Sequence, residues 1–222
     1  MEEQLYLPKR VLIGPQALEG DLVLPPRALA LILFAHGSGS GRRSPRNLQV
    51  ARALNEQRLG TLLFDLLRPE EALDRAHVFD VELLGRRVAE AIDWLDRRPA
   101  LAALPLGLFG ASTGAAAALV AAAARPGRVF AVVSRGGRPD LAGNALARAG
   151  TPTLLIVGGA DTEVLELNRH ALGQLAGKSE LAIVPGASHL FEERGSLERV
   201  TQLAANWFSA HLPDRQKKRR TA

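Results

Sequence analysis

Between Pro99 and Ala124 the chain carries no charged residue, and this stretch restricts the possible folds more than any other. Its length alone would allow a membrane-spanning helix. Pro105, Gly107, Gly110 and Gly114 interrupt it, however, and its second half is mostly alanine. An apolar strand (105–109), a tight turn at Gly110-Ala111-Ser112-Thr113-Gly114 and a buried helix running to Ala124 fit it better. Arg125-Pro126-Gly127 stops that helix, and the small residues Ala115 to Ala118 would let it lie close on a sheet.

The rest of the chain extends this pattern. Strand-length apolar runs at 19–24, 28–35, 61–66, 129–134, 153–158 and 181–185 alternate with helical stretches. The later runs are apolar on both faces, as in a parallel sheet covered by helices on both sides. In 78–98, Val81, Leu84, Val88, Ile92 and Leu95 recur at helical spacing, and Pro99 ends the run. Val164, Leu167, Ala171 and Leu175 do the same in 162–176. A last helix, 197–211, has Ser196 as its expected cap and buries Leu197, Val200, Ala204 and Trp207 or Phe208. Gly60 and Gly177 sit where helix C-terminal caps belong. No internal repeat or linker divides the chain. Residues 1–212 read as a single α/β domain and 213–222 as a flexible basic tail.

Charge and cysteine content narrow the function. Five of the 28 basic residues lie between Arg215 and Arg220, and the other 23 match the 23 acidic ones. A neutral body argues against a nucleic-acid-binding face, and the tail reads as a solvated end. With no cysteine there is no disulfide, thiolate metal site or cysteine nucleophile. This fits a reducing cytoplasm, and the start Met-Glu-Glu-Gln lacks the pattern of a secretory signal. No metal, cofactor, membrane or nucleic-acid partner is expected.

Ser112, at the centre of the glycine-flanked turn between strand and helix, is the candidate nucleophile. A serine hydroxyl needs a base, and the base needs an orienting group. His189 lies in the loop after the last strand, at the edge where open α/β sheets place their sites. His77, His170 and His211 lie in or beside helices and read as solvated. Asp161 follows the strand 153–158 and could orient His189, cap the next helix, or do both. Asp140, after the preceding strand, is the rival acid. The oxyanion donors are expected to be the backbone N–H groups of Thr113 and of Ser38, the latter in the glycine-rich turn 35–41. His36 reads as a brace for that turn. No Lys-Ser/Thr follows where a phosphate-cradling loop would need it. Arg135 and Arg138, after a strand's carboxyl end, could hold a substrate carboxylate or could be structural.

The stretches FAHGSGSGRRSPRN, LLFDLL, GLFGASTG, VVSRGGRPDL, TLLIVGGAD and GASHLFEE reach over most of residues 11–210. Together they resemble the dienelactone hydrolase-like branch of the α/β-hydrolase superfamily. The resemblance implies a mostly parallel sheet of about eight strands, and the segment 135–152, where this fold often inserts a lid, is too short for a large cap domain. The resemblance also implies hydrolysis of an ester, lactone or similar acyl bond of a small substrate, with Ser112, Asp161 and His189 in the order this fold uses. Dienelactone hydrolases proper carry a nucleophilic cysteine where this chain has Ser112. An acyltransferase, or a binding protein on the same scaffold, are the competing readings. HGSGS and SRGGRPD also resemble a subgroup labelled either only as hydrolases or as phosphoribosyltransferases, but the sequence has no acidic pyrophosphate-binding loop for the second activity.

Overall fold

A computed structural model describes residues 6–214, so the tail from Arg215 lies outside the described residues. Its strands are β1 (Lys9–Ile13), β2 (Leu18–Val23), β3 (Ala30–Ala35), β4 (Leu59–Phe64), β5 (Leu106–Ala111), β6 (Val129–Arg135), β7 (Thr153–Gly158) and β8 (Ser179–Val184). They form one open sheet in the order β1-β2-β4-β3-β5-β6-β7-β8. β2 is antiparallel to β1 and β4, and the strands from β4 to β8 are parallel. β3, β4, β5 and β7 are buried at every residue, as their continuous apolar runs require.

Seven α-helices are described: α1 (Pro45–Glu56), α2 (Arg75–Phe79), α3 (Val81–Asp96), α4 (Pro99–Ala102), α5 (Thr113–Ala124), α6 (Thr162–Leu172) and α7 (Ser196–His211). Leu31, Leu33 and Leu108 point to the face covered by α3 and α5. Ile32, Phe34 and Phe109 point to the opposite face, against α1 and α7. The winding reverses at β3, which has β4 on one side and β5 on the other. That switch leaves a crevice at the carboxyl edge of the sheet, where the loops after β3, β5, β7 and β8 meet. Among the described residues no helix is long and apolar enough to cross a membrane.

Several expectations need correction. The helix expected over 78–98 breaks at Asp80, whose side chain accepts the Leu83 N–H and caps α3. Pro99 opens the short α4 rather than only ending the preceding run. Gly60 is no cap: it lies inside β4, where a Cβ would stand 2.8 Å from Leu24 Cδ2. Gly177 likewise lies beyond α6, which ends at Leu172 with Gly173 as its cap. Gly195 takes the capping position of α7, and Ser196 is its first residue. His211 is half-buried, with its ring 4.0 Å from that of Trp207, whereas His77 and His170 are exposed.

Candidate active site

Ser112 sits between β5 and α5 with φ 50° and ψ −125°, a conformation side-chain-bearing residues rarely adopt. Its neighbours impose it. The Ser112 N–H donates to the Arg135 carbonyl (3.2 Å), and its carbonyl accepts from the N–H groups of Ala115 (3.0 Å) and Arg138 (3.1 Å). The flanking glycines are required by close approach. A Cβ on Gly110 would lie 2.4 Å from Ala115 Cα, and one on Gly114 would lie 2.2 Å from the Ala35 carbonyl oxygen.

Asp161 occupies the N-cap position of α6, yet its side chain makes no capping bond. It meets His189 instead, with Oδ2 2.7 Å from Nδ1. A carboxylate there holds the proton on Nδ1 and leaves Nε2 as the accepting nitrogen. The loop carrying His189 is tied to the loop carrying Asp161 by the Ala160 N–H, which donates to the Ala187 carbonyl (3.0 Å). Glu193 braces the histidine loop by accepting the Ser188 N–H at 3.0 Å, which lowers the Glu193 pKa. Asp140 is elsewhere: it binds Arg138 through two nitrogens, at 2.9 and 2.8 Å. The structure thus joins His189 to Asp161. The Ser112 hydroxyl makes no hydrogen bond among the described residues.

The glycine-rich turn is clamped from both sides. The Leu66 N–H donates to His36 Nε2 (3.0 Å), so the proton sits on Nδ1 and donates to the Gly37 carbonyl (2.9 Å). Burial lowers the His36 pKa. On the other side the Ser38 N–H donates to Thr113 Oγ1 at 3.0 Å, so this expected oxyanion donor already has an acceptor. Further along, Arg42 is buried and ion-paired with Glu19, Asp21 and Asp65. Burial acts to lower its pKa, but the three carboxylates outweigh that and raise it. Sequence reasoning passed over Arg42, because its partners, two on β2 and one just after β4, are distant from it in sequence and no local spacing marks them.

The two arginines after β6 differ. Arg138 is paired with Asp140, so its charge already has a partner within the protein. Arg135 is buried, and Nη2 donates to Asn47 Oδ1 at 3.4 Å, while Nε and Nη1 have no hydrogen-bond partner. No carboxylate among the described residues pairs with it. Burial, and then the neighbouring Arg46, pull its pKa down to about 10. Beside the glycine-rich turn a cavity of about 370 Å³ is lined by Ser38, Ser40, Leu66, Leu67, Val78 and Leu84, among others. No cluster of three or more His, Asp or Glu able to hold a metal occurs among the described residues.

A solved structure of a dienelactone hydrolase from Anabaena variabilis is 52% identical to this chain, with a TM-score of 0.89, and the match covers 94% of this chain and 99% of that one. The chain belongs to the dienelactone hydrolase-like branch of the α/β-hydrolase superfamily. The superfamily fold recurs at lower identity. Est1E from Butyrivibrio proteoclasticus is 16% identical with a TM-score of 0.76, over 92% of this chain and 98% of that one. A Mycobacterium tuberculosis protein named "Putative phosphoribosyl transferase" is 55% identical over 203 residues, 91% of this chain. The chain spans 46% of that relative's length. No family model matches the chain.

Proposed function

We propose that this hydrolase cleaves a carboxylic ester, lactone or similar acyl bond of a small substrate through an acyl-serine intermediate. The observation that carries the reading is the 2.7 Å bond between His189 and Asp161 at the sheet edge that also bears the strained Ser112. In this mechanism Ser112 Oγ attacks the substrate carbonyl carbon and its proton passes to His189 Nε2. Asp161 holds the Nδ1 proton and stabilises the cation. The negative oxygen is held by the Thr113 N–H at the start of α5 and by the glycine-rich turn. The intermediate collapses, the alcohol leaves with the proton from His189, and water then releases the acid by the same route. None of these steps calls on a metal or cofactor.

Two further points belong to the proposal. The unpaired charge of Arg135, one strand from Ser112, favours a substrate that bears an anionic group; Arg138 is not given that role. The transferase name of the Mycobacterium tuberculosis relative belongs to a protein more than twice as long as the match. We assign any phosphoribosyl transfer to the part of that protein outside the match, because this chain has no acidic pyrophosphate loop.

The test is labelling by a fluorophosphonate, followed by turnover of one activated ester. Label is expected on Ser112. Ser112→Ala and His189→Ala should each lower kcat by roughly 10⁶-fold, and the double variant should be little worse. Asp161→Asn should cost on the order of 10⁴-fold, and Asp140→Asn far less. Near-full activity of Ser112→Ala would end the proposal.

A further inference from the structure

Thr113 is buried at the first position of α5, and its hydroxyl oxygen accepts the Ser38 N–H at 3.0 Å. A hydroxyl also has one proton to give. Among the described residues nothing accepts the Thr113 proton, although buried polar groups usually find their partners. This unspent donor belongs to the residue that follows Ser112. It is bonded to a turn that packs on the nucleophile itself: a Cβ on Gly37 would stand 2.9 Å from Ser112 Cβ.

We propose that the Thr113 hydroxyl is a third donor to the oxyanion, acting as a relay from Ser38. The inference rests on Ser112 being the nucleophile. One lone pair of Oγ1 takes the Ser38 N–H and fixes the turn. The hydroxyl proton is then free to meet the substrate oxygen as it becomes negative. When Ser112 Oγ bonds to the carbonyl carbon, the π pair moves to that oxygen and the serine proton goes to His189. The Thr113 proton stays on Thr113; only its hydrogen bond forms. Accepting an N–H polarises the hydroxyl and strengthens it as a donor. The arrangement therefore gives Ser38 a part in catalysis even though its own N–H points at a side chain. It also adds little to binding of the uncharged ester, because the bond strengthens only as charge develops.

The experiment compares Thr113→Val, which keeps the shape and removes the hydroxyl, with Thr113→Ser, which keeps the hydroxyl. The readouts are kcat and KM on one activated ester and the affinity of a trifluoromethyl ketone, whose serine adduct carries the oxyanion. Thr113→Val is expected to lower kcat by about 10²-fold with KM changed by less than about threefold. The affinity of the ketone should fall by the same factor, and Thr113→Ser should restore most of both. Unchanged kcat and ketone affinity in Thr113→Val, a loss confined to KM, or a serine variant as poor as the valine one would each overturn the relay. If Thr113→Val does not fold, as judged by circular dichroism, Thr113→Ala against Thr113→Ser gives the same comparison. Fluorophosphonate labelling tests the nucleophile separately. Labelled Ser112 with an indifferent Thr113 removes the relay alone, whereas unlabelled Ser112 removes the acyl-serine mechanism as well.

Discussion

Arg42 and Arg135 are equally hidden, at 9% and 8% exposure, and replacing each by methionine should have opposite effects on stability. Arg42 is surrounded by Glu19, Asp21 and Asp65. Its removal leaves three carboxylates close together and should cost about 3 kcal/mol. Arg135 has no carboxylate partner, and burial followed by repulsion from Arg46 brings its pKa down to about 10. At about 1.4 kcal/mol per tenfold change, this amounts to about 3 kcal/mol against the charged form in the folded protein. The sign follows from linkage. The penalty is fully present below pH 10, where both folded and unfolded chains are protonated, and it lifts only as the folded protein loses the proton above that. At pH 7, Arg135→Met removes the penalty but leaves the buried Asn47 Oδ1 without its donor, a loss of about 1–2 kcal/mol. The balance is a gain of about 1–2 kcal/mol, or a Tm higher by about 2–8 °C. Arg42→Met should lower Tm by about 6–12 °C. Calorimetry at pH 7 and low salt measures both. If Arg135→Met destabilises as much as Arg42→Met, Arg135 is an ordinary structural residue and the reasoning fails. If the stability gain comes with a selective loss of kcat/KM on anionic esters, the charge is retained for the substrate.

Two other changes test the frame of the site. Gly114→Ala would place a methyl 2.2 Å from the Ala35 carbonyl oxygen and 2.4 Å from that of His36. Both are backbone atoms with little room to move, so the loss should be about 3 kcal/mol or more in urea unfolding; a loss below about 1 kcal/mol would show that the turns can part. His36 must stay neutral to accept the Leu66 N–H, and burial lowers its pKa below the unfolded value of about 6.5. The unfolded chain then takes up the proton first, so stability should fall as pH drops from 7.5 to 5.5. His36→Asn should flatten that slope, and an unchanged slope would refute the assignment.

The sequence reveals those parts of the fold whose cause is local. The strand 153–158 coincides with β7, because a buried parallel strand is apolar throughout and bounded by turn residues. β1 escaped notice: Lys-Arg-Val-Leu-Ile is a largely exposed edge strand, with two charges and little alternation. α1 was also missed, despite Ser44 and Pro45 at its start, because Arg46, Asn47 and Gln49 dilute its apolar stripe. The strained turn at Ser112 and the meeting of Asp161 with His189 were legible because the turn and the strand ends mark their places. The partners of Arg42, the isolation of Arg135 and the bond from Ser38 to Thr113 were not. Each depends on side chains distant in sequence that meet only when the loops close.

The alanine helix behind Ser112 has a consequence for how this protein can change. Ala115, Ala116, Ala117 and Ala118 have no exposed surface, so α5 has almost no face on which a larger residue could be tried. An added methylene there has nowhere to go and would push on the turn that holds Ser112. Under the proposed function, variation in substrate is expected on the solvent side, in the turn after β3 and in the segment around Leu66, Leu67 and Val78 that walls the neighbouring cavity. Descendants of this chain would diverge in the shape of that mouth long before they diverged in the position of the serine. A mutational library aimed at new substrates should be built in those loops and leave α5 untouched.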